Sequence, residues 1–136
     1  MKQYVLIVGG IILIAGIYFL AISQTGEGHM EYSVQELKNK IENDTELIVL
    51  DVRTTGEYTG DLGHVNSSIL IPVQELQHRV AEIEEYRDRE IAIICRTDNR
   101  SRAAASILKE AGFENVVFVR GGMVEWNRQY GNPQQK

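Results

Sequence analysis

The sequence has one cysteine, three histidines and no excess of basic charge, and each shortage closes off a class of function. A single cysteine, Cys95, among 136 residues cannot form an internal disulfide. His29, His64 and His78 stand far apart, and no Cys/His spacing matches a zinc site, so no metal or other cofactor is expected. Fourteen Lys and Arg against nineteen Asp and Glu leave a formal net charge of −5. The chain therefore lacks the basic face that a phosphate backbone requires, which argues against a nucleic-acid partner. Internal repeats and low-complexity tracts are absent. A hydrophobic content of 43% with 24% charged residues excludes wholesale disorder.

What is present divides unevenly. Val5 to Ile22 is an apolar run of 18 residues without a charge. As a helix it would be about 27 Å long, close to the hydrocarbon thickness of a bilayer. Tyr4 and Tyr18 suit the membrane interfaces. Residues 1–22 are read as a single transmembrane anchor, the alternative being a signal peptide cleaved near Ala21-Ile22-Ser23. Lys2 lies before the run, and no Lys or Arg occurs from Ser23 to Leu37. The charge asymmetry thus places the following domain on the extracytoplasmic, periplasmic side. Residues 23–31 are polar and contain glycine, as a tether does. Residues 32–130 form the domain and residues 131–136 a tail.

Within the domain, strand and helix signals alternate, the pattern of an α/β fold with a parallel sheet covered on both faces. Ser33-Val34-Gln35-Glu36 is a capping box ahead of Val34, Leu37 and Ile41 at helical spacing. Glu46–Val52 and Ile91–Cys95 read as buried strands, Ser68–Val73 as a short strand ended by Pro72, and Val116–Val119 as a further strand. Leu76, Val80 and Ile83 mark a second amphipathic helix. Ser101–Ala111 reads as an alanine-rich helix closed by Gly112, and Gly121-Gly122 turns the chain into a last helix containing Trp126.

Cys95 ends the most apolar strand, and sites in open parallel sheets form at the carboxyl ends of strands. The loop after it, Cys95-Arg96-Thr97-Asp98-Asn99-Arg100-Ser101, can turn backbone N–H groups inward as an anion nest beside a helix N-terminus. Arg96, Arg100 and Arg102 add positive charge and should favour the thiolate. A free cysteine at the end of a core strand is more commonly an inert packing residue. The arginine-bearing loop shifts the reading to a reactive thiol.

From Glu31 to Tyr130 the chain resembles a single-domain rhodanese. Asp51-Val52-Arg53, Glu57-Tyr58, Gly63-His64-Val65 and Ile71-Pro72 resemble the first signature of that family. Cys95 to Ser101 resembles its active loop, and Gly121-Gly122 with Trp126 its closing signature. The resemblance implies a rhodanese-like parallel sheet and a catalytic Cys95 alternating between thiolate and persulfide, with substrate held by Arg96, Thr97, Asp98, Asn99, Arg100 and Ser101. The implied partners are a small sulfur donor such as thiosulfate and a thiol or cyanide acceptor. Asp98 departs from the family, which often has glycine there. Its backbone should tolerate a left-handed turn, and its charge should repel an anionic donor. Asp51 with Arg53 is read as a structural ion pair, His64 as a hydrogen-bonded turn residue, and Leu108, Phe113 and Trp126 as core.

The rival readings are a tethered, non-enzymatic sulfur carrier or binding module, and an oxyanion enzyme of the phosphatase or arsenate-reductase kind. The latter would need a Cys-x5-Arg loop, and here Arg100 follows Cys95 after four residues, with Ser at 101.

Overall fold

In the computed structural model, residues 30–135 are described. The apolar run Val5 to Ile22 and most of the tether lie outside them. Among the described residues no helix is long and apolar enough to cross a membrane.

Five strands, all parallel, make one sheet in the order β1-β5-β4-β2-β3. They are β1 (Glu31–Tyr32), β2 (Ile48–Asp51), β3 (Ile69–Leu70), β4 (Ile91–Ile94) and β5 (Val116–Val119). Every residue of β4 and β5 is buried, as expected for strands covered on both faces. The pleat sends alternate side chains to opposite faces. Leu50, Val52, Ile91, Ile93 and Cys95 join one core with Leu76, Ile83, Ala104 and Leu108. Val49, Ala92 and Ile94 join the other with Val34, Leu37, Met123 and Trp126. The first core is roofed by α3 (Val73–Arg79) and α4 (Asn99–Glu110), the second by α1 (Val34–Asn43) and α5 (Gly122–Tyr130).

Local sequence accounts for most element ends. The capping box forms as expected: Ser33 Oγ accepts from the Glu36 amide at 3.2 Å, and the Glu36 carboxylate accepts from the Ser33 amide at 2.7 Å. The strand expected over Ser68–Val73 shortens to Ile69–Leu70, because Pro72 stands at the N-cap of α3 and starts a helix as it ends the strand. The helix marked by Leu76, Val80 and Ile83 is α-helical only to Arg79, then continues as a 3₁₀ helix over Val80–Tyr86. There the core residues Val80, Ile83 and Tyr86 recur every three positions, which suits three residues per turn.

Glu31, read as the end of the tether, pairs with Phe118 in edge strand β1. The tail is likewise tied down. Pro133–Gln135 is a 3₁₀ turn, and the Gln134 side chain accepts from the His64 amide (2.8 Å) and donates to the His64 carbonyl (2.9 Å).

Candidate active site at the carboxyl edge of the sheet

β2 and β4 lie side by side, yet the chain leaves them in opposite directions: from β2 outward to β3, and from β4 across to β5. This is the switch point of the sheet, where the loops part and leave a crevice. Both loops that border it are anchored, by different means.

The loop after β2 is held by charge. Asp51 and Arg53 are both fully buried. The Arg53 guanidinium donates to both Asp51 oxygens (2.7 to 3.1 Å), to the Glu57 carbonyl (3.1 Å) and to the Gly63 carbonyl (2.8 Å). The structural role read for this pair is what the geometry displays. A short helix, α2 (Thr55–Tyr58), follows, with its own capping box from Thr54 to Glu57. His64 sits in the next turn, its Nδ1 2.9 Å from the Tyr58 carbonyl and its ring stacked on Tyr58 at 3.7 Å.

The loop after β4 carries the expected residues, and the structure brings only some of them together. Cys95 is buried, and its thiol donates to Ser101 Oγ at 3.6 Å. The Ser101 hydroxyl donates to the Asp98 carbonyl at 2.8 Å. Arg100 turns away to Glu57 and makes two bonds of 2.6 and 2.7 Å, joining the two loops across the crevice. This pairing holds the Glu57 carboxyl down at about 2 and pushes the Arg100 guanidinium up; Cys95 adds a smaller Coulomb contribution on Arg100. Arg102 stacks on the Phe118 ring at 4.1 Å and approaches Glu31. Of the three loop arginines counted on to favour the thiolate, only Arg96 is exposed and without a side-chain partner among the described residues. Thr97 and Asn99 are exposed as well.

The left-handed backbone expected at Asp98 is not adopted. Its φ is −132° with ψ −39°, so the loop needs no left-handed residue there. Helix α4 starts at Asn99, two residues before the expected Ser101, with Asp98 at its N-cap.

The residues that sequence reasoning missed are those holding the loop from outside. Gly121 and Gly122 both have positive φ, 79° and 54°. A Cβ on Gly122 would stand 2.4 Å from the Cys95 carbonyl oxygen and 2.7 Å from the Arg96 carbonyl carbon. That close approach lets the first turn of α5 reach the loop. The Met123 amide donates to the Cys95 carbonyl (2.8 Å) and the Val124 amide to the Arg96 carbonyl (3.1 Å). The Gly-Gly pair was legible as a turn, but its contact with Cys95 was not. The Thr54-x-x-Glu57 capping box was a sequence signal for α2, and the pairing of its glutamate with Arg100 was not.

A doubly wound parallel sheet with a buried cysteine heading a clamped loop at its switch point defines a class of α/β domain. Comparison with known proteins sharpens it: the model of the Rhodanese-like domain matches residues 33–129. The chain belongs to the rhodanese-like domain family. It is 36% identical over 104 residues to "Putative sulfur carrier protein YrkF" of Bacillus subtilis (strain 168), covering 76% of this chain and 54% of that one. It is 28% identical over 98 residues to a sulfurtransferase of Allochromatium vinosum, covering 72% and 88%. Among solved structures, a rhodanese-related protein of Thermoplasma volcanium is similar at a TM-score of 0.65 and 35% identity, covering 76% of this chain and 95% of that one. The matched stretch spans about half of YrkF and about a third or less of several larger curated relatives.

Proposed function

We propose that Cys95 takes up a sulfane sulfur from a donor such as thiosulfate and hands it to a thiol or cyanide. In the first half-reaction the Cys95 thiolate attacks the outer sulfur of thiosulfate. A new S–S bond forms to Cys95, and the old one breaks with its electron pair leaving on sulfite. In the second, an acceptor thiolate attacks the terminal sulfur of the persulfide and departs carrying it, and the Cys95 thiolate is regenerated. Splitting the transfer in two in this way is covalent catalysis.

The observation that carries this reading is the placing of the sulfur. Cys95 Sγ lies beside Ser101 at the head of a loop whose amides, from Arg96 to Ser101, have no protein acceptor among the described residues. Donors fixed in advance around an anion stabilise it without reorganising. With the thiol protonated, the Ser101 hydroxyl donates to Asp98; its rotation toward sulfur would supply one more donor to the thiolate or persulfide. Arg96 is the exposed cation for an anionic donor, and Thr97 and Asn99 line the open rim. Membership of a family that includes sulfurtransferases and sulfur carriers supports the same chemistry.

The likeness to YrkF favours a second reading, a carrier that holds sulfur for a partner and turns over slowly by itself. Intact mass after thiosulfate treatment tests both. The expected result is a gain of one sulfur atom in the wild type and none in Cys95→Ser. A wild-type chain that gains nothing from thiosulfate or from an organic persulfide would refute sulfur uptake altogether. Rapid multiple turnover with cyanide or a small thiol would single out the enzyme over the carrier.

The proposal also places the domain on a membrane through residues 5–22, facing the extracytoplasmic side. The support is the uncharged run and the lack of Lys and Arg beyond it. Full-length protein should resist carbonate extraction, and a chain lacking residues 1–23 should fold in the soluble fraction. Recovery of a mature soluble chain beginning near Gln24 would show a cleaved signal instead.

A further inference from the structure

Asp98 occupies an N-cap, where an aspartate ordinarily accepts a hydrogen bond from the second or third amide of its own helix. It makes no such bond. Its Oδ1 accepts instead from the Gly121 amide, 2.8 Å away and 23 residues along the chain. Gly121 precedes the α5 turn whose next amides already hold the Cys95 and Arg96 carbonyls. Those two bonds secure only the near half of the loop. The far half meets α5 through Asp98. Its main chain points the other way: the Asp98 carbonyl accepts from the Ser101 hydroxyl (2.8 Å) and the Arg102 amide (3.2 Å), and Ser101 Oγ is the partner of Cys95 Sγ. One residue thus ties the α5 turn to the hydroxyl beside the sulfur. It also satisfies the partly buried Gly121 amide, which would otherwise be left without an acceptor.

We infer that Asp98 is a positioning residue: its side-chain oxygen straps the Cys95 loop to the N-terminal turn of α5 and so fixes Ser101 against the sulfur. The role rests on the sulfur-transfer reading for its catalytic consequence, but the strap itself does not. The strap uses an oxygen acceptor rather than a charge, which separates it from the repulsion of an anionic donor first expected of this carboxylate. Asparagine keeps the acceptor and loses the charge. Alanine and glycine lose both.

The test compares Asp98→Asn, Asp98→Ala and Asp98→Gly with the wild type in three measurements. Hydrogen exchange at the Gly121 amide should stay slow in Asp98→Asn and become fast in the other two. Alkylation of Cys95 by neutral iodoacetamide should accelerate in Asp98→Ala and Asp98→Gly, because the freed loop uncovers a buried sulfur. Sulfur uptake at saturating thiosulfate should fall roughly ten- to a hundredfold in those two variants, on the scale of a misplaced reacting group. In Asp98→Asn it should stay within about threefold of wild type, on the scale of one partly exposed charge. Loss of fold would also expose Cys95 and stop uptake, so the amides of β4 must stay as slow to exchange as in the wild type while the Gly121 amide becomes fast. An Asp98→Gly variant that takes up sulfur as fast as wild type, with Gly121 still protected, would overturn the strap. So would an Asp98→Asn variant as impaired as Asp98→Ala. Should the alanine and glycine variants fail to fold, Asp98→Asn decides alone: Gly121 must stay protected, Cys95 must stay as slow to alkylate as in the wild type, and sulfur uptake must stay within about threefold. If the wild type takes up no sulfur, the functional reading fails, and exchange and alkylation still decide the strap.

Discussion

The loops after β2 and β4 border one crevice and begin on adjacent, hydrogen-bonded strands, yet they are anchored in contrasting ways. The first is held by side chains: a buried guanidinium on a buried carboxylate, with its remaining donors on the Glu57 and Gly63 carbonyls. The second is held by two bonds to its main chain, from α5 amides to the Cys95 and Arg96 carbonyls, and by one side-chain bond, in which Asp98 accepts from the Gly121 amide. The difference has a functional logic. A loop fixed through its carbonyls keeps its amides and exposed side chains available to a ligand. A loop fixed by its side chains is committed to structure, and what it lends the site is one carboxylate, Glu57, to hold Arg100.

The largest effect should come from breaking the charge-held loop. Arg53→Met strips the buried Asp51 carboxylate of its guanidinium partner, and should cost about 3–5 kcal/mol. Urea unfolding would measure this. Asp51→Asn combined with Arg53→Met should recover part of the loss, since no unpaired charge then remains. If the single variant costs under 1 kcal/mol, the charge pair does not anchor this loop.

The main-chain anchor breaks at a different kind of residue. Gly122→Ala puts a Cβ against the Cys95 carbonyl at a positive φ. It should cost roughly 2–3 kcal/mol and impair sulfur uptake together with stability. The matching change in the other loop is Gly56→Ala, where a Cβ meets nothing within 4 Å and should be tolerated. Equal effects of the two alanines would erase the contrast between the loops.

The smallest effect belongs to the contact that joins them. Glu57 is held down at about 2, chiefly by Arg100, so the contact contributes in full above about 4.5, the ordinary carboxylate value, and is lost as pH falls through about 2. Glu57→Gln should therefore cost about 1 kcal/mol near neutral pH, the scale of a partly exposed pair, and flatten the wild-type loss of stability between those two pH values. Parallel acid-unfolding curves for the two proteins would count against the pairing.

Much of this molecule was legible in its residues because local rules fix it. The Ser33 capping box, the unbroken apolar run of β4, the Pro72 boundary and the Gly121-Gly122 turn each act within a few positions of the chain. The candidate nucleophile was legible too, since Cys95 is the only thiol and ends the most apolar strand. The reading failed where a side chain had a choice of partners. Asp98 could cap α4, repel an anion or reach Gly121. Arg100 could face the sulfur or Glu57, 43 residues away. Nothing in local propensity ranks those options. The sequence by itself determined four of the five strands, the Ser33 cap and the place of the single thiol at a strand end, because hydrophobic period and backbone freedom are short-range properties. Only the tertiary structure decided which charges pair and which amides are taken. Those choices depend on where the β2 loop and the α5 turn come to rest beside Cys95.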